Sequence, residues 1–314
     1  MAQQTERVPF YVQIARNKRA TVVLVILFSV LLAFVAFWVG LIFPGGWEGG
    51  VAVAAGVGVI TFAWFLASYY SGGYLLMTMH HAYPASPRGD GRVLYNVVEE
   101  MAIAAGVPRP LIFVVPTSAM NAFATGRDPG NSVIAVTEGL LERLNRDELQ
   151  GVVAHEMSHI RNYDIRLMMM VATFAGMVVI LSEILWYMSR VLFHAGMSGG
   201  GNRRGGGGAP LLVLAAIAAI ISLVAPIMAM LIQFAISRRR EYLADASAVE
   251  LTRYPEGLAR ALEKIAFGCR GMKYASKAAA HLYIQNPFTR ANISSLFATH
   301  PPIQERIRRI RAMM

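Results

Sequence analysis

The stretch NRDELQGVVAHEMSH, residues 145–159, decides how this chain is to be read. Asn145 is an N-cap residue, and Asp147 and Glu148 put negative charge into the first helical turn, where backbone N–H groups lack partners. A helix therefore starts here. On it His155 and His159 are four residues apart, so their rings leave one face and can reach one metal ion. Glu156 lies about 100° round from His155. That places it beside the two histidines, where it can act as a base on water at the metal. Histidines at this spacing also arise by chance on amphipathic helices, so the reading calls for a third ligand from another element.

Further along, REYLADASA, residues 240–248, offers one. Glu241 and Asp245 share a helical face. Glu241 completes a His-His-Glu set that leaves the fourth coordination position open. Asp245 can then accept a hydrogen bond from the second nitrogen of a ligand histidine and fix its tautomer. Taken alone, Glu241 pairs as readily with Arg238, Arg239 and Arg240. What lies between the two motifs decides the matter. Two apolar segments, from about Ile165 to Phe193 and from about Ala209 to Ile236, are joined by GGGNRRGGGG. This linker lacks the lysine and hydroxyl of a phosphate-binding loop and reads as a flexible connection. A hairpin through a bilayer would return Glu241 to the side from which the histidine helix departs.

Two more apolar segments precede the motif. Ala20 to Phe43 contains no charged residue, and at about 1.5 Å per residue it spans roughly 36 Å, enough for a hydrocarbon core of about 30 Å. It is long for a signal-peptide core, and Pro44-Gly-Gly-Trp is a poor cleavage site, so a retained span is expected. Gly49 to Leu76 follows after a short turn, with Trp38, Trp47, Trp64, Tyr69 and Tyr70 towards the ends of the pair. Glu183 and Arg190 make the third segment the weakest span; they are seven apart and share a face.

Composition agrees with a chain partly in lipid. Of 314 residues, 55% are hydrophobic and only 15% charged, against about 25% charged in soluble domains; mean hydropathy is +0.46. The net charge of +10 gathers beside the apolar runs, at Arg16–Arg19, Arg238–Arg240 and Arg306–Arg311. That is the pattern of membrane-flanking charge, and no nucleic-acid module accompanies it. Arg7, Arg16, Lys18 and Arg19 precede the first span, while Pro44–Gly50 has no Lys or Arg, which puts the N-terminus in the cytoplasm. Arg203 and Arg204 run against that rule. Cys269, the only cysteine, reads as incidental.

The expected architecture is α+β, mainly α-helical, with about four transmembrane helices. It divides into a hairpin (1–79), a first catalytic part (80–164), a second hairpin (165–236) and a second catalytic part (237–314). Val93–Ala105 reads as a helix, Leu111–Val115 as a strand and Val133–Val136 as a second apolar run. Pro302–Met314 reads as a basic helix that packs or rests on the membrane.

The paired motifs HEMSH and EYLAD, set either side of a hydrophobic hairpin, resemble those of the HtpX-type membrane metallopeptidases, relatives of the CAAX prenyl endopeptidases. The likeness extends to NAFATG (121–126), VTEGLL (136–141) and THPPIQERI (299–307). It implies a gluzincin-like zinc peptidase domain with one Zn2+ per chain. It also implies a multi-pass protein of the bacterial inner membrane whose catalytic domain faces the cytoplasm and cleaves misfolded or damaged membrane proteins. Asn121 then lies near the substrate-binding edge strand, where its amide can hold peptide backbone or simply make a turn. His300 either stabilises a developing oxyanion or opens the last helix. His80, His81, His194 and His281 have no partner at ligand spacing and are read as structural or exposed. An extended substrate is expected to add as a strand beside Val133–Val136. A CAAX-type processing protease and a zinc-stabilised membrane adaptor without turnover are the competing readings. An intact Glu156 beside an open coordination position speaks against the adaptor.

Overall fold

The computed structural model describes residues 10–41, 45–198, 208–267, 282–284 and 301–313. The uncharged N-terminal runs form two long antiparallel helices, α1 (Phe10–Gly40) and α2 (Trp47–Met79). Their outer faces carry exposed Leu27, Val30, Phe34, Ile60 and Phe62. A surface of that kind suits hydrocarbon and not water.

A small α+β unit follows. Helix α3 (Arg92–Ala105) buries Leu94, Val97, Val98, Met101 and Ala105, the stripe that a 3.6-residue period requires. It stops at Gly106, whose φ of 67° lets its N–H reach the carbonyl of Ile103. The sheet comprises β1 (Tyr83–Pro84), β2 (Leu111–Val115), β3 (Ala122–Asp128) and β4 (Asn131–Thr137), in the order β1-β2-β4-β3. Strand β4 runs parallel to β2 and antiparallel to β3. Both edges of β4 are therefore taken, and β3 is the outer strand.

Beyond a short turn of helix, α4 (Glu138–Leu141), comes α5 (Arg146–Arg161). Asn145 caps it in a full capping box: its side chain accepts from the Glu148 N–H, and the Glu148 carboxylate accepts from the Asn145 N–H. The chain then breaks at Asn162–Tyr163, with Tyr163 in a left-handed conformation at φ 60°. The histidine helix thus stops short of the third apolar segment and does not continue into it. The break lets α6 (Asp164–Ser198) leave in a new direction.

Helices α6 and α7 (Gly208–Thr252) form the second hairpin. Ala175, Ser182, Ser189 and Gly196 recur every seventh residue on α6 and are buried, as are Ala215 and Ser222 on α7. Small side chains let the two backbones approach, and a seven-residue repeat keeps the seam in register. The serine hydroxyls donate to carbonyls of their own helices, so none is left unsatisfied in an apolar setting. Glu183 and Arg190 do share a face, the exposed one. Among the described residues, three helical stretches are long and apolar enough to cross a bilayer: Ile14–Trp38, Trp47–Met79 and Asp164–Ser198. Leu211–Ile227 of α7 supplies a shorter apolar run.

Helix α7 is continuous past the fourth apolar segment to Thr252 and carries Glu241 and Asp245 into the catalytic unit. Helices α8 (Pro255–Phe267) and α9 (Ile303–Arg311) close the core: Leu258, Leu262, Ile307 and Ile310 join Val152, Val153 and Met157 of α5. Of the two readings of the last helix, packing is the one realised.

Candidate active site

His155, His159 and Glu241 converge at the centre of this unit, all nearly inaccessible to solvent. One ligand atom from each lies within 4.8 Å of the others. The His155 Nε2 is 3.7 Å from Glu241 Oε2, and the His159 Nε2 is 3.6 Å from Glu241 Oε1. Ligands held about 2.05 Å from a tetrahedral metal stand roughly 3.3 Å apart. The donor set is thus nearly closed around a zinc-sized centre, and its mix of two imidazoles and one carboxylate is that of a hydrolytic zinc site.

The outer nitrogens of both histidines are engaged by carboxylates. His155 Nδ1 is 3.0 Å from Asp245 Oδ1, the partnership expected of Asp245. His159 Nδ1 is 3.1 Å from Asp164 Oδ2, an acid that sequence reading missed. Such partners hold each ring with Nε2 facing the metal position. Asp164 is itself tethered: its Oδ1 accepts from Asn17 Nδ2 of α1 at 2.7 Å and lies 3.2 Å from an Arg240 guanidinium nitrogen. The first membrane helix is therefore bonded to the outer shell of the cluster.

Arg306 is the second residue that sequence reading missed. Only 1% exposed, its guanidinium makes a two-pronged contact with Asp245, at 2.9 and 2.7 Å, and lies 3.1 Å from Glu241 Oε2. A buried cation here offsets the cost of two buried carboxylates. Burial would push the Asp245 carboxyl up, but Arg306 and His155 outweigh it and hold it low. One signal was available: Arg306 falls inside the helical stripe of Ile303, Ile307 and Ile310, a buried position.

Burial pushes Glu156 up to about 7, while His159 and Arg306 nearby pull it down. A carboxyl near neutrality can both take and give a proton at physiological pH. Its anion is also steadied by the backbone N–H of Ala124 in β3, so the catalytic helix and the outer strand meet at Glu156. Burial lowers both histidines. His155 stays low, while Asp164 and Glu241 carry His159 up to about 10. The carboxylates that favour a proton there favour a metal cation by the same electrostatics.

Asn121 lies at the start of β3, fully buried, its Oδ1 accepting from the Ala122 N–H and its carbonyl from the Thr137 N–H. The bond to Thr137 carries the β3–β4 pairing one residue beyond Ala122. His300 lies outside the described residues. His80 is buried between the Leu76 carbonyl and the Tyr283 hydroxyl, a structural position as expected. The strand expected to receive substrate needs correction. Val133–Val136 lies within the central β4, which has no free edge. Among the described residues β3 is the edge strand near Glu156, and there Tyr283 bridges Phe123 and the Ile284 N–H reaches the Ala122 carbonyl.

Comparison with known proteins gives a consistent result. Residues 90–314 match peptidase family M48. A protein named protease HtpX homolog from Lactobacillus helveticus (strain DPC 4571) is 41% identical over 305 residues, which cover 96% of this chain and 99% of that one. Another of the same name, from Caldanaerobacter subterraneus subsp. tengcongensis, is 43% identical over 313 residues, 98% of this chain and 99% of its own. The crystal structure of S. mikatae Ste24p superposes with a TM-score of 0.48 at 20% identity, over 80% of this chain and 57% of that one.

Proposed function

The chain belongs to peptidase family M48 and is a membrane metalloendopeptidase, and from that premise we propose that His155, His159 and Glu241 hold one zinc ion per chain and that Glu156 is the catalytic acid–base. The buried His-His-Glu cluster with Glu156 beside it carries the reading. When bound, zinc would supply Lewis acidity to a peptide carbonyl and to a water molecule. The protein residues do the rest. Glu156 takes a proton from the attacking water and passes it to the leaving amine, which its near-neutral carboxyl suits. Asp245 and Asp164 keep the ligand rings in one tautomer, and Arg306 keeps Asp245 charged and holds both Asp245 and Glu241 in place.

The substrate enters extended, against the outer edge of β3 from about Ala124 onward. Backbone pairing of this kind accepts varied sequences, which suits an enzyme that clears misfolded or damaged membrane proteins. The two HtpX homologs compared above are bacterial, and the basic residues before the first span support a catalytic unit on the cytoplasmic side of the inner membrane. Asn121 remains a candidate contact to substrate backbone at the head of that edge.

Metal replacement tests the site. Protein purified in detergent under chelator is expected to bind one equivalent of zinc and then to cleave an unfolded protein such as casein; His159→Ala and Glu241→Gln lose both properties. Cleavage that survives loss of a ligand would refute the assignment. Proline scanning of a cleaved peptide tests the edge: turnover should vanish only near the scissile bond, and indifference to proline would remove β3 as the docking strand.

A further inference from the structure

At the end of the first hairpin nearest the catalytic unit, α1, α2 and α6 enclose a groove of about 190 Å³, the space of about six water molecules. Its two halves differ in chemistry. Lys18 of α1, Tyr69 of α2 and Arg166 of α6 form one end; Val22 and Ile26 of α1 and Phe65 of α2 line the other, further along the membrane helices. Val22 and Ile26 are more than half exposed, so the apolar end is continuous with the outer face of the hairpin.

The two cations converge without an acid between them. The Lys18 Nζ lies 4.4 Å from the centre of the Tyr163 ring, and the Arg166 guanidinium 5.1 Å from the same ring and 5.7 Å from that of Tyr69. Among the described residues no carboxylate comes within ion-pairing distance of either. The nearby Asp164 is committed to Asn17, Arg240 and His159. Asp128 is engaged by Arg127 and Asn131. Two like charges held against one aromatic ring repel each other unless an anion lies between them. The place is where the long apolar stretch of α1 begins, the depth of lipid phosphates.

We propose that this groove is a binding site for an anionic phospholipid, its phosphate on Lys18 and Arg166 and an acyl chain along Val22, Ile26 and Phe65. Basic pockets between membrane helices at this level bind such headgroups. The apolar half selects a lipid over free phosphate. The proposal rests on the chain being membrane-spanning, and it is independent of the chemistry at the metal cluster. Occupancy would also brace α1 against α6, close to the Asn17–Asp164 bond.

The test titrates delipidated full-length protein, in neutral detergent, with phosphatidylglycerol or phosphatidylcholine and counts retained lipid by native mass spectrometry. The wild type should retain one phosphatidylglycerol in preference to phosphatidylcholine. Lys18→Gln should weaken that binding roughly fivefold and Lys18→Gln/Arg166→Gln roughly thirtyfold, from the usual contribution of a basic residue near a lipid surface. Arg88→Gln/Arg92→Gln, which removes as much charge elsewhere, should leave it unchanged. If the Arg166 variant does not fold, the exposed Lys18 decides the question alone. Equal retention of both lipids would overturn the site, as would equal losses in the charge-matched control. Displacement of the lipid by millimolar inorganic phosphate would overturn its assignment to a lipid.

Discussion

Asp164 and Arg306 act on the metal cluster without being ligands in it, and each makes a distinct demand at the residue scale. Asp164→Asn keeps the shape but loses the charge that orients His159, so zinc affinity should fall by about ten- to a hundredfold, read by competition with a chromophoric chelator. Unchanged affinity would mean that the Asp164 contact is incidental. Arg306→Met removes the cation between Asp245 and Glu241 and strands two buried carboxylates, a loss of about 3 kcal/mol or more. It should appear as a clear drop in the thermal unfolding temperature of the detergent-solubilised protein. Glu156 sets the pH dependence. In the proposed role catalysis needs its carboxylate, burial raises its pKa to about 7, and a cation at the cluster would draw it down. Activity should therefore be full above pH 7 and fall as acid protonates Glu156, with the midpoint at 7 or below; an acid limb centred well above 7 would contradict the assignment. His155, His159 and Glu156 were legible as a group because their spacing is local to one helix turn, Glu241 because a hydrophobic hairpin returns it to the same side, and Asp245 because it lies one turn beyond Glu241 on the same face. Arg306 was hidden among exposed arginines of its own helix, and Asp164 beyond a break in the backbone that spacing arguments do not cross.

At the scale of elements, the metal helix is held by close backbone contact as much as by side chains. A Cβ on Gly151 of α5 would come within 2.7 Å of the Leu258 backbone nitrogen in α8. Gly151→Ala should therefore cost about 1–3 kcal/mol, visible in unfolding while the zinc stoichiometry is kept; wild-type stability would show that the helices can part at no cost. Helix α3 and strand β2 were legible from periodicity and β-branched composition. Strand β3 was not, because residues 122–126 are buried on both faces and show no alternation. Strand β4 was found but misplaced: its apolar run says that it is buried, while its position between β2 and β3 depends on a crossover that no local pattern encodes.

For the whole molecule, apolar length and flanking charge together made both hairpins legible. What composition did not reveal is how far α6 and α7 extend past the bilayer. The 35 residues of α6 amount to roughly 52 Å, well beyond a hydrocarbon core of about 30 Å. Its first turns, with Met168, Met169 and Met170, are buried within the protein. The catalytic unit is thus built onto the ends of the membrane helices, with Asn17 and Glu241 arriving on the same side. Reporter fusions at the N-terminus and after α9 should both report the cytoplasm, and opposite compartments would refute the topology. The measurement that bears most directly on the whole account compares the wild type with Glu156→Gln, both loaded with one equivalent of zinc, on unfolded casein. The wild type should cleave, and the variant should keep its zinc and lose activity by at least about a hundredfold. Equal cleavage by both would remove Glu156 from the chemistry, and a zinc-loaded wild type that cleaves nothing would leave the cluster a structural one.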